Sequence, residues 1–207
     1  MCQPGARFLG YGHKLSFAVI AEDALTTKSL AALVEAAAFD ASVYDQQGCL
    51  SPHAFYVEEG GQVSPREFAA ALADTMAAYQ ARVPRGQLSI EEAAQVAKLR
   101  GAYEFRSASD KRVAVWAGGD TNAWLIIFEE DPMFTPSCLN RVIFVKPVKQ
   151  LESIPKLVQH FAPNLSTVGV APMGESTTIL ARDLMHLGAS RVCPVGQMQR
   201  PAFSLSP

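Results

Sequence analysis

Short runs of β-branched and aromatic residues alternate with stretches of helical periodicity along nearly the whole chain. The strand-like runs cover residues 16–20, 54–57, 112–116, 124–128, 141–145, 167–170 and 191–195. Between most of them, apolar residues recur at the three- and four-residue spacing of one helix face. This alternation is typical of α/β proteins with a largely parallel sheet. We therefore predict one domain with a mostly parallel sheet flanked by helices.

Local signals mark where several elements begin and end. Ser64 and Ser89 are each followed three residues later by glutamate, which is the pattern of a capping box. We predict a helix from each of these serines, the second ending near residue 100. Residues 118 and 119 are glycines between two strand-like runs, which predicts a hairpin and therefore some antiparallel pairing. Further helices are predicted at 27–39, 151–160 and 176–187.

The composition excludes several classes of protein. A hydrophobic content of 49% with 18% charged residues is that of a globular chain, which excludes a disordered or collagen-like protein. The net charge of −2, without a basic patch, argues against a nucleic-acid partner. No apolar run approaches the roughly 20 residues of a membrane span, and no secretory leader is recognisable. We therefore expect a cytoplasmic protein.

The four cysteines are far apart and lack the spacing of a zinc site or a disulfide framework, so we expect no metal. Cys2, Cys138 and Cys193 are interpreted as small buried apolar residues. Cys49 differs because it stands in the polar segment 45–53, between a predicted helix and a predicted strand. Backbone N–H dipoles in such a turn would stabilise the thiolate, which makes Cys49 a candidate nucleophile. A buried structural cysteine is the alternative.

The sequence around Cys49 resembles the catalytic segment of the aldehyde dehydrogenase superfamily. There, a Gly-Gly-Lys strand opening, a helix, a Gln-Gly-Gln-x-Cys turn and a strand follow in this order. The matching segments here are GHKLSFAVI at 12–20, YDQQGCLSPH at 44–53 and AFYVE at 54–58. The segment 44–53, together with NRV at 140–142 and RVCPVGQM at 191–198, is similar in sequence to the acyl-CoA reductases of the LuxC type. The resemblance runs from about residue 10 to residue 201.

The resemblance implies an aldehyde-dehydrogenase-like catalytic domain over residues 1–207. In such an enzyme, Cys49 would take the acyl group of an acyl-CoA as a thioester, and hydride from NADPH would release it as an aldehyde. The nucleotide-binding half of these enzymes has no counterpart in this sequence, so we expect association with such a half. A homo-oligomer is also expected by analogy, with the run 141–145 as an edge strand that could pair with another subunit.

A second segment, EEDPMFTP at 129–136, resembles the Glu-x-Phe-Gly-Pro motif of the superfamily. The resemblance implies that Glu130 contacts the nicotinamide-side ribose and that Phe134 packs against the cofactor. The spacing between these two residues is longer here, and Thr135 replaces the glycine. A solvated acidic turn is the alternative interpretation for Glu130.

Hydrolytic members of the superfamily place a general-base glutamate before the Gly-Gly-Lys. The corresponding segment here, LGYG at 9–12, contains no acid, which favours reduction of acyl-CoA over hydrolysis. His13 and His53 are candidates for proton transfer near neutral pH, or else hydrogen-bonded parts of the turn. Two other functions remain open: a CoA-acylating aldehyde dehydrogenase, and a non-catalytic binding or scaffold module.

Overall fold

A computed structural model describes residues 14–119 and 122–200 of the chain. Seven β-strands form one sheet in this part of the protein. They are β1 (Leu15–Ile20), β2 (Pro52–Glu58), β3 (Val113–Ala117), β4 (Leu125–Glu129), β5 (Val142–Val148), β6 (Leu165–Ala171) and β7 (Arg191–Pro194). Each strand overlaps a run predicted from the sequence, so the predicted strands are confirmed.

The sheet has the strand order β3-β4-β5-β2-β1-β6-β7. Strand β3 pairs with β4 antiparallel, which confirms the predicted hairpin, and every other neighbouring pair is parallel. The expectation that the run 141–145 forms an edge strand is wrong. Strand β5 lies between β4 and β2, and the edges are β3 and β7. Its backbone groups are therefore already paired on both sides.

Five α-helices cover the sheet in the described part of the chain. They are α1 (Leu30–Ser42), α2 (Pro65–Arg82), α3 (Ile90–Ser109), α4 (Ile154–Val158) and α5 (Glu175–Leu187). Both predicted capping boxes are present, at Ser64 and Ser89. Helix α3 continues well beyond residue 100, whereas the helix predicted at 151–160 is only α4 between two 3₁₀ turns. The mostly parallel α/β architecture is confirmed.

Each face of the sheet is buried under helices, which explains the continuous apolar runs of the central strands. Ala18 and Ile20 of β1 lie in the core beneath α1 and α2. Phe17 and Val19, which point to the other face, lie in the core beneath α3, α4 and α5. The six strands that are parallel to one another begin at one side of the sheet, which we call the amino edge. Their first residues are Leu15, Pro52, Leu125, Val142, Leu165 and Arg191.

Candidate active site

Cys49 lies in an exposed turn at the amino edge, three residues before β2 begins. The turn is closed by Ser51, whose backbone N–H donates to the Gly48 carbonyl at 2.9 Å. Ser16 of β1 donates its hydroxyl to the Cys49 carbonyl at 2.7 Å. The thiol is therefore on an accessible loop that is fixed to the sheet, and not in the hydrocarbon core.

The chain reaches this turn through three consecutive residues with left-handed backbone conformation. Tyr44, Asp45 and Gln46 have φ angles of 53°, 51° and 65°. A second left-handed triplet, residues 139–141, precedes β5 with φ angles of 63°, 60° and 64°. Left-handed conformation costs a non-glycine residue roughly 1–2 kcal/mol. Contacts between the two segments must offset this cost, because neither triplet contains glycine.

Gln46 makes the most buried of these contacts. Its side chain is inaccessible to solvent and pairs with the backbone of Val142, the first residue of β5. The Val142 N–H donates to Gln46 Oε1 at 2.8 Å, and Gln46 Nε2 donates back to the Val142 carbonyl at 2.8 Å. The same amide nitrogen donates to the Pro52 carbonyl at 2.8 Å. Gln46 thus joins the first residues of β2 and β5.

The neighbours of Gln46 reach the residues next to Val142. Asp45 forms an ion pair with Arg141 at 2.7 Å, and the Arg141 side chain is almost fully buried. Gln47 Nε2 donates to Asn140 Oδ1 at 2.6 Å. Each residue of the DQQ at 45–47 therefore contacts one residue of the NRV at 140–142, another segment that resembles the LuxC-type reductases. Because these side chains lie beside Cys49 in sequence, they hold its turn against the start of β5.

The segment 191–198, which also resembles the LuxC-type reductases, contacts α1, and the residue after it contacts the cysteine turn. Asp40 of α1 accepts hydrogen bonds from the backbone N–H groups of Gly196 and Met198. Gln199 then donates to the Asp40 carbonyl at 2.9 Å and to Ser51 Oγ at 3.0 Å. Burial raises the pKa of Asp40 to about 6, despite these donors. The segments 44–53 and 140–142 therefore meet at the Cys49 turn, together with Gln199, which directly follows the segment 191–198.

His53, the first candidate for proton transfer, is a buried structural residue. The Ser137 N–H donates to His53 Nδ1 at 3.1 Å, so this nitrogen is an acceptor. Burial lowers the pKa of His53 to about 4, which contradicts the expectation of titration near neutral pH. His53 is hydrogen-bonded, as the alternative interpretation has it, but it lies on β2 and not in the turn. His13, the second candidate, lies outside the described residues, as does the segment 9–12.

The structure does not bring Glu130 to Cys49. Glu130 is exposed and directly follows β4, at the end of the sheet opposite to the amino edge. Phe134 is buried in the core, where its ring contacts those of Phe17 and Phe161 and lies 6.5 Å from the ring of His53. The proposed contacts of Glu130 and Phe134 with a cofactor stay predictions.

The other described cysteines differ from Cys49 in their surroundings. Cys193 is buried, and burial raises the pKa of its thiol to about 11. Cys138 is half-buried, and burial also raises its pKa. Cys2 lies outside the described residues. Among residues 14–119 and 122–200, no group of three or more His, Cys, Asp or Glu side chains could hold a metal ion. No helix in these ranges is long and apolar enough to cross a bilayer.

The chain matches a known protein family over nearly its whole length. The model for the family described as acyl-CoA reductase (LuxC) matches residues 1–203. Among curated protein sequences, none matches the chain. The family match covers all the residues that hold the Cys49 turn.

Solved structures of aldehyde dehydrogenases share the fold. An NAD-dependent aldehyde dehydrogenase from Burkholderia multivorans is 17% identical, with a TM-score of 0.62 over 90% of this chain and 36% of its own. The P. syringae indole-3-acetaldehyde dehydrogenase AldA, in complex with NAD+ and IAA, is 13% identical, with a TM-score of 0.65 over 89% and 38%. Delta-pyrroline-5-carboxylate dehydrogenase from Mycobacterium tuberculosis is 13% identical, with a TM-score of 0.56 over 88% and 34%.

These likenesses confirm the predicted aldehyde-dehydrogenase-like fold. The chain spans between 34% and 38% of the length of the three proteins.

Proposed function

The chain belongs to the acyl-CoA reductase (LuxC) family, and from this premise we propose that it carries the acyl-transfer step in the reduction of a fatty acyl-CoA to an aldehyde. Cys49 is the proposed nucleophile. The observation that supports this role is an exposed thiol on a turn that three separate segments of the chain hold in place. A structural cysteine would not need an accessible position with so many anchors.

In the proposed step, the Cys49 thiolate attacks the carbonyl carbon of the acyl-CoA. A new bond forms between Sγ and this carbon, and the bond between the carbon and the CoA sulfur breaks. CoA leaves as a thiolate and takes a proton from solvent. The product is a thioester on Cys49, and neither the acyl group nor the enzyme has changed oxidation state.

Release of the aldehyde requires a hydride, which NADPH would supply when bound. The described residues do not fit a dinucleotide. In open α/β sheets such cofactors bind beyond the carboxyl ends of parallel strands, whereas Cys49 lies at the amino edge. Gly60 and Gly61 follow β2, but Gly61 is crowded by Leu25 and α2 begins only at Pro65. We therefore propose that a nucleotide-binding half outside the described residues presents NADPH to the amino edge.

The test is a search for the acyl-enzyme. The protein is incubated with hexadecanoyl-CoA, digested, and examined by mass spectrometry for an acyl adduct on the peptide that contains Cys49. We expect one acyl group on this peptide and none on that peptide in a Cys49→Ser variant. Absence of the adduct from the unmodified protein, with CoA not released, would contradict the proposed function.

Thiol alkylation separates an enzyme from a non-catalytic module that keeps the fold. Cys138 and Cys193 serve as internal references, because burial raises the pKa of both thiols. An activated Cys49 should react with iodoacetamide much faster than either reference. Slow and equal alkylation of all three cysteines would favour the scaffold alternative. A CoA-acylating aldehyde dehydrogenase would form the same thioester, and the direction of the reaction distinguishes it from a reductase.

A further inference from the structure

A cleft of about 410 Å³ runs between α3 and residues 136–138, which precede β5. We call it the α3 cleft. Its volume lies in the range of roughly 300–1,000 Å³ that is usual for small-molecule sites. The residues of α3 that line it are Gln95, Lys98, Leu99 and Ala102. Pro136, Ser137 and Cys138 form the opposite wall, so most of the lining away from the Gln95 end is apolar.

The helical wall of the α3 cleft is hydrogen-bonded to the Cys49 turn. Gln47, two residues before Cys49, donates to Glu92 Oε1 at 3.3 Å. Glu92 lies one turn of α3 before Gln95, where the lining of the cleft begins. Ala102 lies about 10 Å farther along the helix at 1.5 Å per residue. The Gln95 end is therefore the end nearer to Cys49.

The opposite wall is joined to the same turn. Gln46 Nε2 donates to Ser137 Oγ at 3.3 Å, and Ser137 lines the cleft. Both walls are thus fixed to residues that immediately precede Cys49. The cleft is therefore joined to the Cys49 turn through both of its walls.

We propose that the α3 cleft binds the alkyl chain of the fatty acyl group that is transferred to Cys49. This inference rests on the proposed acyl transfer. The pantetheine arm of CoA contains amides that need hydrogen-bond partners, whereas each methylene of an alkyl chain gains free energy by leaving water. Leu99, Ala102 and Cys138 offer such a chain an apolar surface. The cleft would then determine which chain lengths react efficiently.

The first test fills the far end of the cleft. In an Ala102→Trp variant, acylation rates of Cys49 are measured with acetyl-CoA and hexadecanoyl-CoA. We expect the ratio of the hexadecanoyl rate to the acetyl rate to fall by about tenfold or more, because about two lost methylene contacts suffice for this. The matched control is Ala94→Trp, an exposed position of α3 outside the cleft, where the ratio should not change. An unchanged ratio in Ala102→Trp would overturn the proposal.

The second test uses Cys138 as a reporter within the cleft and does not depend on acyl transfer. In a Cys49→Ser variant, hexadecanoyl-CoA should slow alkylation of Cys138 by at least about fivefold, as a bound chain covers the thiol. Protection of Cys138 by CoA alone would show that the pantetheine arm occupies the cleft. Lack of protection by either compound would show that no ligand occupies it. Each of these results would overturn the proposal. Protection of Cys138 without acylation of Cys49 in the unmodified protein would instead refute the proposed function and leave the cleft assignment standing.

Discussion

The Ser16 hydroxyl links β1 and β6 to the cysteine turn, because it donates to the Cys49 carbonyl at 2.7 Å and accepts from the Thr167 N–H at 3.0 Å. The side chain is completely buried, although the turn that it holds is exposed. This hydroxyl therefore fixes the backbone of the proposed nucleophile relative to β1 and β6.

We predict that Ser16→Ala slows acylation of Cys49 and lowers the free energy of unfolding by about 1–3 kcal/mol. The substitution leaves the buried Thr167 N–H without its acceptor and frees the Cys49 carbonyl. Acyl-adduct formation and urea unfolding measure the two effects. Ser190→Ala is the control, because it removes a hydroxyl that bonds the Ser166 carbonyl, in the same peptide group as the Thr167 N–H, and that has no hydrogen bond to the turn. An acylation rate equal in both variants would show that Ser16 does not position Cys49.

Gln46 should be the most sensitive residue of the cysteine segment to substitution. Gln46→Ala removes the Oε1 acceptor of the Val142 N–H, which then keeps only the Leu139 carbonyl at 3.2 Å. It also removes the Nε2 donor of the Val142 and Pro52 carbonyls, at the buried junction of β2 and β5. We expect a loss of about 2–4 kcal/mol of unfolding free energy, given the cost of unsatisfied buried groups. Gln47→Ala, at an exposed side chain, should cost less than about 1 kcal/mol. Similar costs for both variants in urea unfolding would contradict this assignment.

Arg141 offers a direct comparison between a buried and an exposed ion pair. Arg141→Met breaks the ion pair with Asp45 at 2.7 Å, so that Arg85 is left as a cation near this carboxylate. Gln80 and Val83 each lose a donor. We predict a destabilisation of about 2–4 kcal/mol.

Arg82→Met breaks the ion pair with Glu35, in which both side chains are more than half exposed, and is the control for Arg141→Met. The Arg82→Met substitution should lower the free energy of unfolding by only about 0–1 kcal/mol. Thermal or urea unfolding of the two variants at the same salt concentration measures the two losses of unfolding free energy. Equal losses would mean that burial of Arg141 does not strengthen its ion pair.

Local signals in the sequence were sufficient to predict the seven strands and the starts of α2 and α3. The capping boxes at Ser64 and Ser89 mark helix starts because both partners of each hydrogen-bond pair lie within one turn. The end of α3 was not predictable in this way. The helix continues past Gly101 because Tyr103 packs against Phe144 and its hydroxyl reaches Glu129, contacts that come from distant strands.

Strand order and side-chain partners depend on such distant contacts. The run at 141–145 looked like an edge strand because its neighbours in space, β4 and β2, cannot be recognised from its own residues. Cys49 could be selected from its polar turn and from the family resemblance. The roles of Gln46 and Asp40 could not, since the groups that they bind lie about a hundred or more residues away in the chain. The signal that could have pointed to Gln46 is the joint presence of the segments 44–53 and 140–142, which contain Gln46 and its partner Val142. Asp40 lies outside all the segments that carry the family resemblance.

Asp40 makes the free energy of unfolding depend on pH, with a sign that is unusual for a carboxylate. Burial raises its pKa from 3.8 to about 6, so between these values the native state holds a proton that the unfolded chain has released. Raising the pH in this window therefore destabilises the native state, and the stabilisation present below pH 3.8 is lost as the pH passes 6. The shift corresponds to about 3 kcal/mol.

We predict that Asp40→Asn removes this dependence, because the amide cannot ionise. Urea unfolding at several pH values from 4 to 7 should give a difference in unfolding free energy between the unmodified protein and the variant that shrinks as the pH rises. Asp74→Asn, at an exposed position of α2, is the control variant. Because Asp40 also orders the segment that delivers Gln199 to Ser51, its ionisation acts beside the Cys49 turn. A parallel pH profile for Asp40→Asn and the unmodified protein would mean that Asp40 stays ionised in the fold and that its backbone donors outweigh its burial.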